Sequence, residues 1–405
     1  GILEIAFTLL ILLSFYGTFF IRSFRKDLIC FKGPILSLVW VFILFLVFNT
    51  FVSVYNEVNM IEWFRGMAPF VLFFVSLFIV ANQFRDTASV NELFFVFILS
   101  CLIYSTKGLC LLLNSPIVES GDIYISAKYE TIKAQNIYQV LRVASAGLLF
   151  SVIYFSEKLT RFKSRFYIAT FIVISVSILF SYSRGLMLSF LIVSIIGGAF
   201  LVKKYKLPGF LKKWNFYYFA IVSVLVIATF FIYSQRASDI LFAHVSASVG
   251  SIKSLFDFSN SYSFAGRLQE HREVLSYIMD NPLMGYGLGY EIPYFLRDGS
   301  FYKNVSSTHN MISYLLLFTG AIGTAIYLWL LANIIFGLKR MARTDNSDIK
   351  GIANGLILGV MMVLIYVQFN PFFKNLSYNL FLGIVAGVAV NGHRLIQGSE
   401  ANKGQ

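Results

Sequence analysis

Long apolar runs separated by short polar connections set the pattern of this chain. A helix needs about 20 largely apolar residues to cross a bilayer, and about eleven runs have that length. They lie near 2–21, 34–55, 67–84, 93–113, 136–156, 166–183, 185–202, 215–234, 309–337, 351–369 and 375–392. The pattern predicts an all-α integral membrane protein. Spans 1–8 fall within 1–234, a long connection within 235–308, spans 9–11 within 309–393, and a polar tail within 394–405.

The connections alternate in charge. Arg22 to Lys32, Lys158 to Arg165, Lys203 to Lys213 and Lys339 to Arg343 are basic, whereas Asn56 to Met67, Asn114 to Gln135 and Asn370 to Asn375 are poorer in positive charge. Basic connections stay on the cytoplasmic side, so the first set and the tail with His393, Arg394 and Lys403 are expected inside. The first run then starts outside. With Gly1 in place of an initiator Met, one further N-terminal helix is expected, about twelve in all.

Composition agrees with this reading. Hydrophobic residues make up 58% of the chain and charged residues 13%, about half the charged fraction of a soluble domain, and the mean hydropathy is +0.73. The net charge of +13 belongs to the connections, so it points to orientation in a bilayer and not to nucleic acid. Cys30, Cys101 and Cys110 lie in or beside apolar runs without metal-ligand spacing, as small core residues do.

The outer connection from Gln235 to Thr308 is too long to be a simple link. It contains an amphipathic helix predicted near Gly266 to Met279, with Leu268, Val274, Leu275 and Ile278 as its apolar positions, ended by Asn281-Pro282. Gly285-Tyr286-Gly287-Leu288-Gly289 follows, either as a hinge or as a tight turn.

Candidate chemistry collects on the same outer side. Arg184 in Ser181-Tyr182-Ser183-Arg184-Gly185 is either an arginine snorkelling from a helix end or a fork for phosphate oxygens. Arg267 at the start of the loop helix is either a solvated helix residue or a second such fork. His309 follows Ser306, Ser307 and Thr308, expected as N-cap candidates, at the first turn of the ninth span. A helix N-terminus favours the neutral imidazole, which can act as a general base; a structural histidine is the alternative. His244 and His271 read as ordinary loop residues. Lys107 and Arg142 lie within apolar runs, where charge is costly and faces a partner or cavity, and a shared outward-opening positive cavity is the expectation. Glu57, Glu62, Asp122, Glu270, Glu273 and Glu291 are acidic residues of outer segments, each an alternative base. No His/Cys/carboxylate group has metal-ligand spacing, and neither metal nor cofactor is expected.

His309-Asn310, then Met311 to Thr319, then Gly320-Ala321-Ile322-Gly323 resembles the signature of the O-antigen ligase and polymerase superfamily of bacterial inner membranes: His-[Asn/Ser/Gln], nine residues, Gly, two residues, then Gly, Thr or Val. Ser183-Arg184, Gly266-Arg267-Leu268 and the run from Asn281 to Gly289 are similar to further family pieces. The resemblance covers roughly the second half of the chain.

It implies a GT-C-like membrane glycosyltransferase, inverting and metal-independent, working at the periplasmic face. The implied donor is a glycan on undecaprenyl pyrophosphate. The implied acceptor is a lipid A–core hydroxyl for a ligase, or a second lipid-linked glycan for a polymerase. Arg184 and Arg267 would hold the pyrophosphate, His309 would activate the acceptor, and Lys107, Arg142 and Asn310 would border the cavity. Gly320 and Gly323 would let the ninth helix pack closely. A transporter or flippase of lipid-linked sugars is the reading from a different class.

Overall fold

The computed structural model describes residues 33–113, 142, 144–149, 151, 161–179, 186, 188–192, 262–295, 301–368 and 376–401. Their helices are α1 (Pro34–Tyr55), α2 (Met60–Gln83), α3 (Thr87–Leu113), α4 (Arg161–Leu179), α5 (Tyr262–Asp280), α6 (Met311–Met341), α7 (Ser347–Tyr366) and α8 (Leu376–Ala401), with strands β1 (Ile292–Phe295) and β2 (Phe301–Val305) between α5 and α6. Six of them, α1–α3 and α6–α8, contain stretches long and apolar enough to cross a membrane. The predicted runs 2–21 and 215–234 lie outside the described residues. Within 136–156 and 185–202 the described stretches, 144–149 and 188–192, are helical.

Helix starts move outward from the apolar runs because polar caps precede them. α2 begins at Met60, where the Asn59 side chain accepts the Ile61 N–H at 2.9 Å. α3 begins after Asp86, whose Oδ1 accepts the Ser89 N–H at 2.8 Å. The apolar runs miss these first turns, with Glu62 and Arg65 interrupting α2 and Thr87 and Ser89 opening α3, whereas capping chemistry marks them. α8 continues to Ala401, so most of the predicted polar tail is helical.

Small residues bring the helices together. On α8, Gly383 faces Phe73 and Ser76 of α2, and Gly387 faces Leu77 and Val80, with no room for a side chain at either glycine. Close backbone approach of this kind is what holds helices together where apolar side chains gain little by leaving lipid. Asn391 completes the contact by donating to the carbonyls of Val80 at 3.2 Å and Phe84 at 2.9 Å. α1 buries Leu36, Val39, Phe42, Leu46, Asn49 and Ser53 along one face and exposes Leu44, Phe51 and Val54 on the other. A helix apolar all round suits a membrane span with one face on protein and one on lipid. Phe42 sits 5.5 Å between ring centroids from both Phe70 of α2 and Tyr327 of α6.

α6 is not one straight helix. Gly320 has φ 64° and ψ −173°, which breaks it into 311–319 and 321–341. Met311 and Tyr327 would stand about 24 Å apart along a straight helix. The Tyr378 hydroxyl nevertheless contacts both, at 3.4 Å from Met311 Sδ and 3.3 Å from the Tyr327 hydroxyl. The 21 residues after Gly320 match by themselves the ~20 needed for a crossing, so the apolar run near 309–337 is a short helix joined to a complete span.

Candidate functional site at the start of α6

The broken helix leaves backbone groups to satisfy, and the glycine-rich loop satisfies them. Tyr286 N–H donates to the Leu317 carbonyl at 2.9 Å and Gly287 N–H to the Phe318 carbonyl at 3.0 Å, while Ala321 N–H donates to the Pro282 carbonyl at 2.8 Å. Gly285, Gly287 and Gly289 all have positive φ, and a Cβ on any of them would collide with neighbouring backbone. Of the two expectations for this segment, the tight turn is the one that holds: the loop is clamped between α1, α2 and α6. α1 supplies the clamp. Asn49 Oδ1 accepts the Leu288 N–H at 3.0 Å, Ser53 Oγ donates to the Leu288 carbonyl at 3.2 Å, and Asn56 Nδ2 donates to the Tyr286 carbonyl at 3.0 Å.

This platform fixes α5 against the first turns of α6. α5 ends at Asp280, just before Asn281-Pro282 as the sequence predicts, and buries Glu270 and Val274 with Tyr277 and Ile278 partly covered. Leu275, predicted on the apolar face, is exposed. The α5 face toward α6 therefore carries a carboxylate at its head.

That carboxylate meets His309. Glu270 Oε2 lies 2.5 Å from His309 Nδ1, and Oε1 accepts the His309 backbone N–H at 2.8 Å. The Glu270 side chain is 7% exposed and that of His309 43%, so the histidine is gripped on one edge and open on the rest. With Glu270 ionised, Nδ1 is the donor, and Nε2 is left as the acceptor end of a neutral ring. Among the described residues Nε2 has no hydrogen-bond partner.

The cap lies two residues beyond Thr308, the last of the residues expected to provide it. Asn310 is the N-cap, its Oδ1 accepting the Ser313 N–H at 3.0 Å. Its Nδ2 makes a long contact, 3.4 Å, to the Gln368 carbonyl. Ser306 and Thr308 are engaged elsewhere: Ser306 Oγ donates to Glu62 Oε2 at 2.6 Å, and Thr308 Oγ1 donates to the Asn310 carbonyl at 2.9 Å. His309 thus stands before the cap and not in the first turn, with its own N–H taken by Glu270.

His271 was expected to be an ordinary loop residue. It sits on α5 with Nδ1 3.1 Å from Ser313 Oγ, so two successive residues of α5, Glu270 and His271, reach the start of α6.

The remaining candidates are distributed differently. Arg267 stands one turn before Glu270 on α5. Arg184 lies outside the described residues. Lys107 is exposed on α3. Arg142 is 3% exposed, donates from Nη2 to the Tyr104 carbonyl at 3.2 Å, and has no partner for its Nε among the described residues. None of the described hydrogen bonds joins Lys107 or Arg142 to His309. Sequence reasoning named Glu270 as one of six acidic residues without singling it out. Its register was the available signal, since Glu270, Val274 and Tyr277 follow i, i+4, i+7 and put a carboxylate on a buried face. Among the described residues, no group of three or more His, Cys, Asp or Glu side chains is placed to hold a metal ion.

Comparison with the curated proteins finds no match to the chain. A protein-family comparison does: residues 168–328, from within α4 to the second half of α6, match the Wzy_C family, described as O-antigen ligase. The stretch contains α5, the glycine loop, the hairpin, His309 and the Gly320 break. Residues 168–328 are therefore an O-antigen ligase (Wzy_C) domain, which supports the O-antigen ligase superfamily and a function of ligase or polymerase type for this multi-pass chain.

Proposed function

We propose that this protein is an O-antigen ligase that transfers a glycan from undecaprenyl pyrophosphate to a hydroxyl of lipid A–core at the periplasmic face of the inner membrane. The observation that carries the reading is His309: it lies within the matched domain, at a helix start, held at Nδ1 by a buried carboxylate and open at the rest of its ring.

The reaction asks for two things. The acceptor hydroxyl must lose its proton as it attacks the anomeric carbon, and the leaving pyrophosphate must be neutralised. An imidazole whose Nε2 has no hydrogen-bond partner among the described residues serves the first need. Arginine forks serve the second, because fixed guanidinium donors stabilise charge that develops in the transition state. Arg184 and Arg267 take that role in this reading, with Lys107 and Arg142 adding positive charge nearby and Asn310 shaping the helix start. Attack opposite the leaving group inverts the anomeric centre, and no step in the scheme calls on a metal. The orientation with basic connections inside puts His309 on the periplasmic side.

Ligase and polymerase differ in acceptor. The test is complementation of two bacterial strains, one lacking its ligase and one lacking its polymerase, with lipopolysaccharide read on gels. Restoration of long O-antigen on core in the first strain supports the proposal. Rescue of the second strain alone assigns polymerase activity instead. In the rescued strain, His309→Ala and Arg184→Ala each abolish transfer while protein levels persist; full activity in both variants would overturn the mechanism, and a defect in lipid flipping with normal transfer by purified protein would indicate a transporter.

A further inference from the structure

We infer that Glu270 is the positioning residue of the acceptor-activating histidine, and that α5 thereby sets both the orientation and the proton-accepting end of His309. The inference rests on the transferase reading above and goes further, because it assigns a role to a residue that neither the signature nor the family match singles out.

The geometry is two-pronged. One oxygen of Glu270 takes the His309 backbone N–H at 2.8 Å, and the other takes ring Nδ1 at 2.5 Å. The first bond fixes where the residue's backbone lies; the second fixes the rotation of the ring. A carboxylate has acceptors only, so the proton between the two groups belongs to Nδ1 and the lone pair of the neutral ring to Nε2. Without this partner a neutral imidazole would divide between two tautomers, and the Nε2–H form cannot take a proton at that nitrogen.

The carboxylate is held for the task. Glu270 is 6% exposed as a residue, and Val274 one turn later is buried in the hydrophobic core. Farther along α5, Tyr277 packs on Tyr286 at 5.9 Å between ring centroids, in the loop that Asn49, Ser53 and Asn56 hold. His309 itself is 43% exposed at its side chain, so the rigidity is on the carboxylate side and the access is on the histidine side. That division suits a base that receives a bulky acceptor.

In the step so arranged, the acceptor O–H bond breaks and its proton passes to His309 Nε2. The acceptor oxygen forms a bond to the anomeric carbon as the anomeric C–O bond to pyrophosphate breaks, and that electron pair leaves on the pyrophosphate oxygen. Glu270 stays ionised and faces the imidazolium that results. Arg267 lies one turn earlier on the same helix, so a displacement of α5 moves the residue proposed for the leaving group together with the residue that aims the base.

Glu270→Gln separates positioning from scaffolding. Gln keeps size and can still accept the His309 backbone N–H through its carbonyl. Its amide then presents N–H to Nδ1, which turns Nδ1 into the acceptor and moves the ring proton to Nε2. With purified full-length protein in nanodiscs, lipid-linked donor and core acceptor, Glu270→Gln is expected to lower kcat by at least ~100-fold, the scale of losing a positioned base. The donor KM should change little, and Glu270→Asp, which keeps the charge, should recover part of the rate. Nitrogen-15 NMR of labelled histidines, with the His309 signal identified by its loss in His309→Ala, should report the Nδ1–H tautomer in the wild type and the Nε2–H tautomer in Glu270→Gln.

A Glu270→Gln enzyme with near wild-type kcat, or an unchanged tautomer, would overturn the inference while leaving the transferase reading intact if His309→Ala is inactive. Full transfer by His309→Ala would overturn the transferase mechanism itself, whatever the tautomer signal shows.

Discussion

Gly285 and Gly320 face each other so closely that a Cβ on either one would stand 2.6 Å from the backbone nitrogen of the other. Both also have positive φ, 67° and 64°. Sequence logic assigned Gly320 to close helix packing. The structure adds that it ends one helix, begins another and receives a loop in the gap.

Gly320→Ala and Gly285→Ala are each expected to destabilise the protein by about 3 kcal/mol, combining backbone strain with overpacking. Thermal unfolding in detergent, followed by tryptophan fluorescence, measures the loss. Because the two sites touch, the double variant should lose less than the sum of the single ones.

Asn49 is 1% exposed and serves both sides of the same junction, accepting from Leu288 N–H at 3.0 Å and donating to the Phe318 carbonyl at 2.9 Å. Asn49→Leu leaves the Leu288 N–H unpaired, at about 1–3 kcal/mol, while the Phe318 carbonyl keeps only its bond from the Gly287 N–H. The expected outcome is a lower unfolding midpoint together with loss of transfer, although residue 49 lies far from His309 in sequence.

Ser306 gives a contrasting case. Its hydroxyl donates to Glu62 at 2.6 Å and ties the end of the β1–β2 hairpin to α2. Ser306→Ala should cost about 1 kcal/mol and leave transfer within a few-fold of the wild type, because Glu270 still holds His309. Side-by-side kcat values for Ser306→Ala and Glu270→Gln check this.

Asp86 supplies a pH-dependent contribution at the other end of the bundle. The Ser89 backbone N–H, helped by the Ser89 hydroxyl at 3.0 Å, holds its carboxyl below the ordinary value near 3.8. A lowered value means stability that is present above the unfolded pKa and lost as pH falls through the folded one. Unfolding midpoints of wild type and Asp86→Asn, which also caps helices well, should therefore keep a constant difference from pH 7 to 5 and shift in favour of Asp86→Asn below about pH 4.

Much of the helical layout was legible in the sequence, for a physical reason. A bilayer demands long apolar runs and tolerates few alternatives, so α1 and α7 follow from hydropathy within about four residues of their ends, whereas α3 starts at Thr87, before the run predicted from 93, and α8 runs on to Ala401, past the predicted end at 392. The end of α5 at Asn281-Pro282 was legible because proline disfavours helix in the residue before it. The Gly320 break was not, since hydropathy runs through it without change and glycine in an apolar run reads equally well as packing. The β1–β2 hairpin was missed as well. Ile292-Pro293-Tyr294-Phe295 lacks polar alternation, and Pro293 argues against a strand unless it lies at an edge, which both strands of a two-stranded sheet do. At the site, His309 was legible from its position before an apolar run. Its partner was not, because Glu270 is 39 residues away and only the docking of α5 on α6 selects it from six acidic residues.

The clamp on the glycine loop also limits modularity. The matched domain spans 168–328, yet Asn49 and Ser53 of α1 and its C-cap Asn56, which grip Leu288 and Tyr286, lie outside it. An excised 168–328 fragment would carry every residue proposed for the chemistry except Lys107 and Arg142, and still lack the wall against which its loop is set. The boundary drawn by sequence similarity is not the boundary of a foldable unit, and grafting this domain onto another membrane scaffold requires that α1 travel with it.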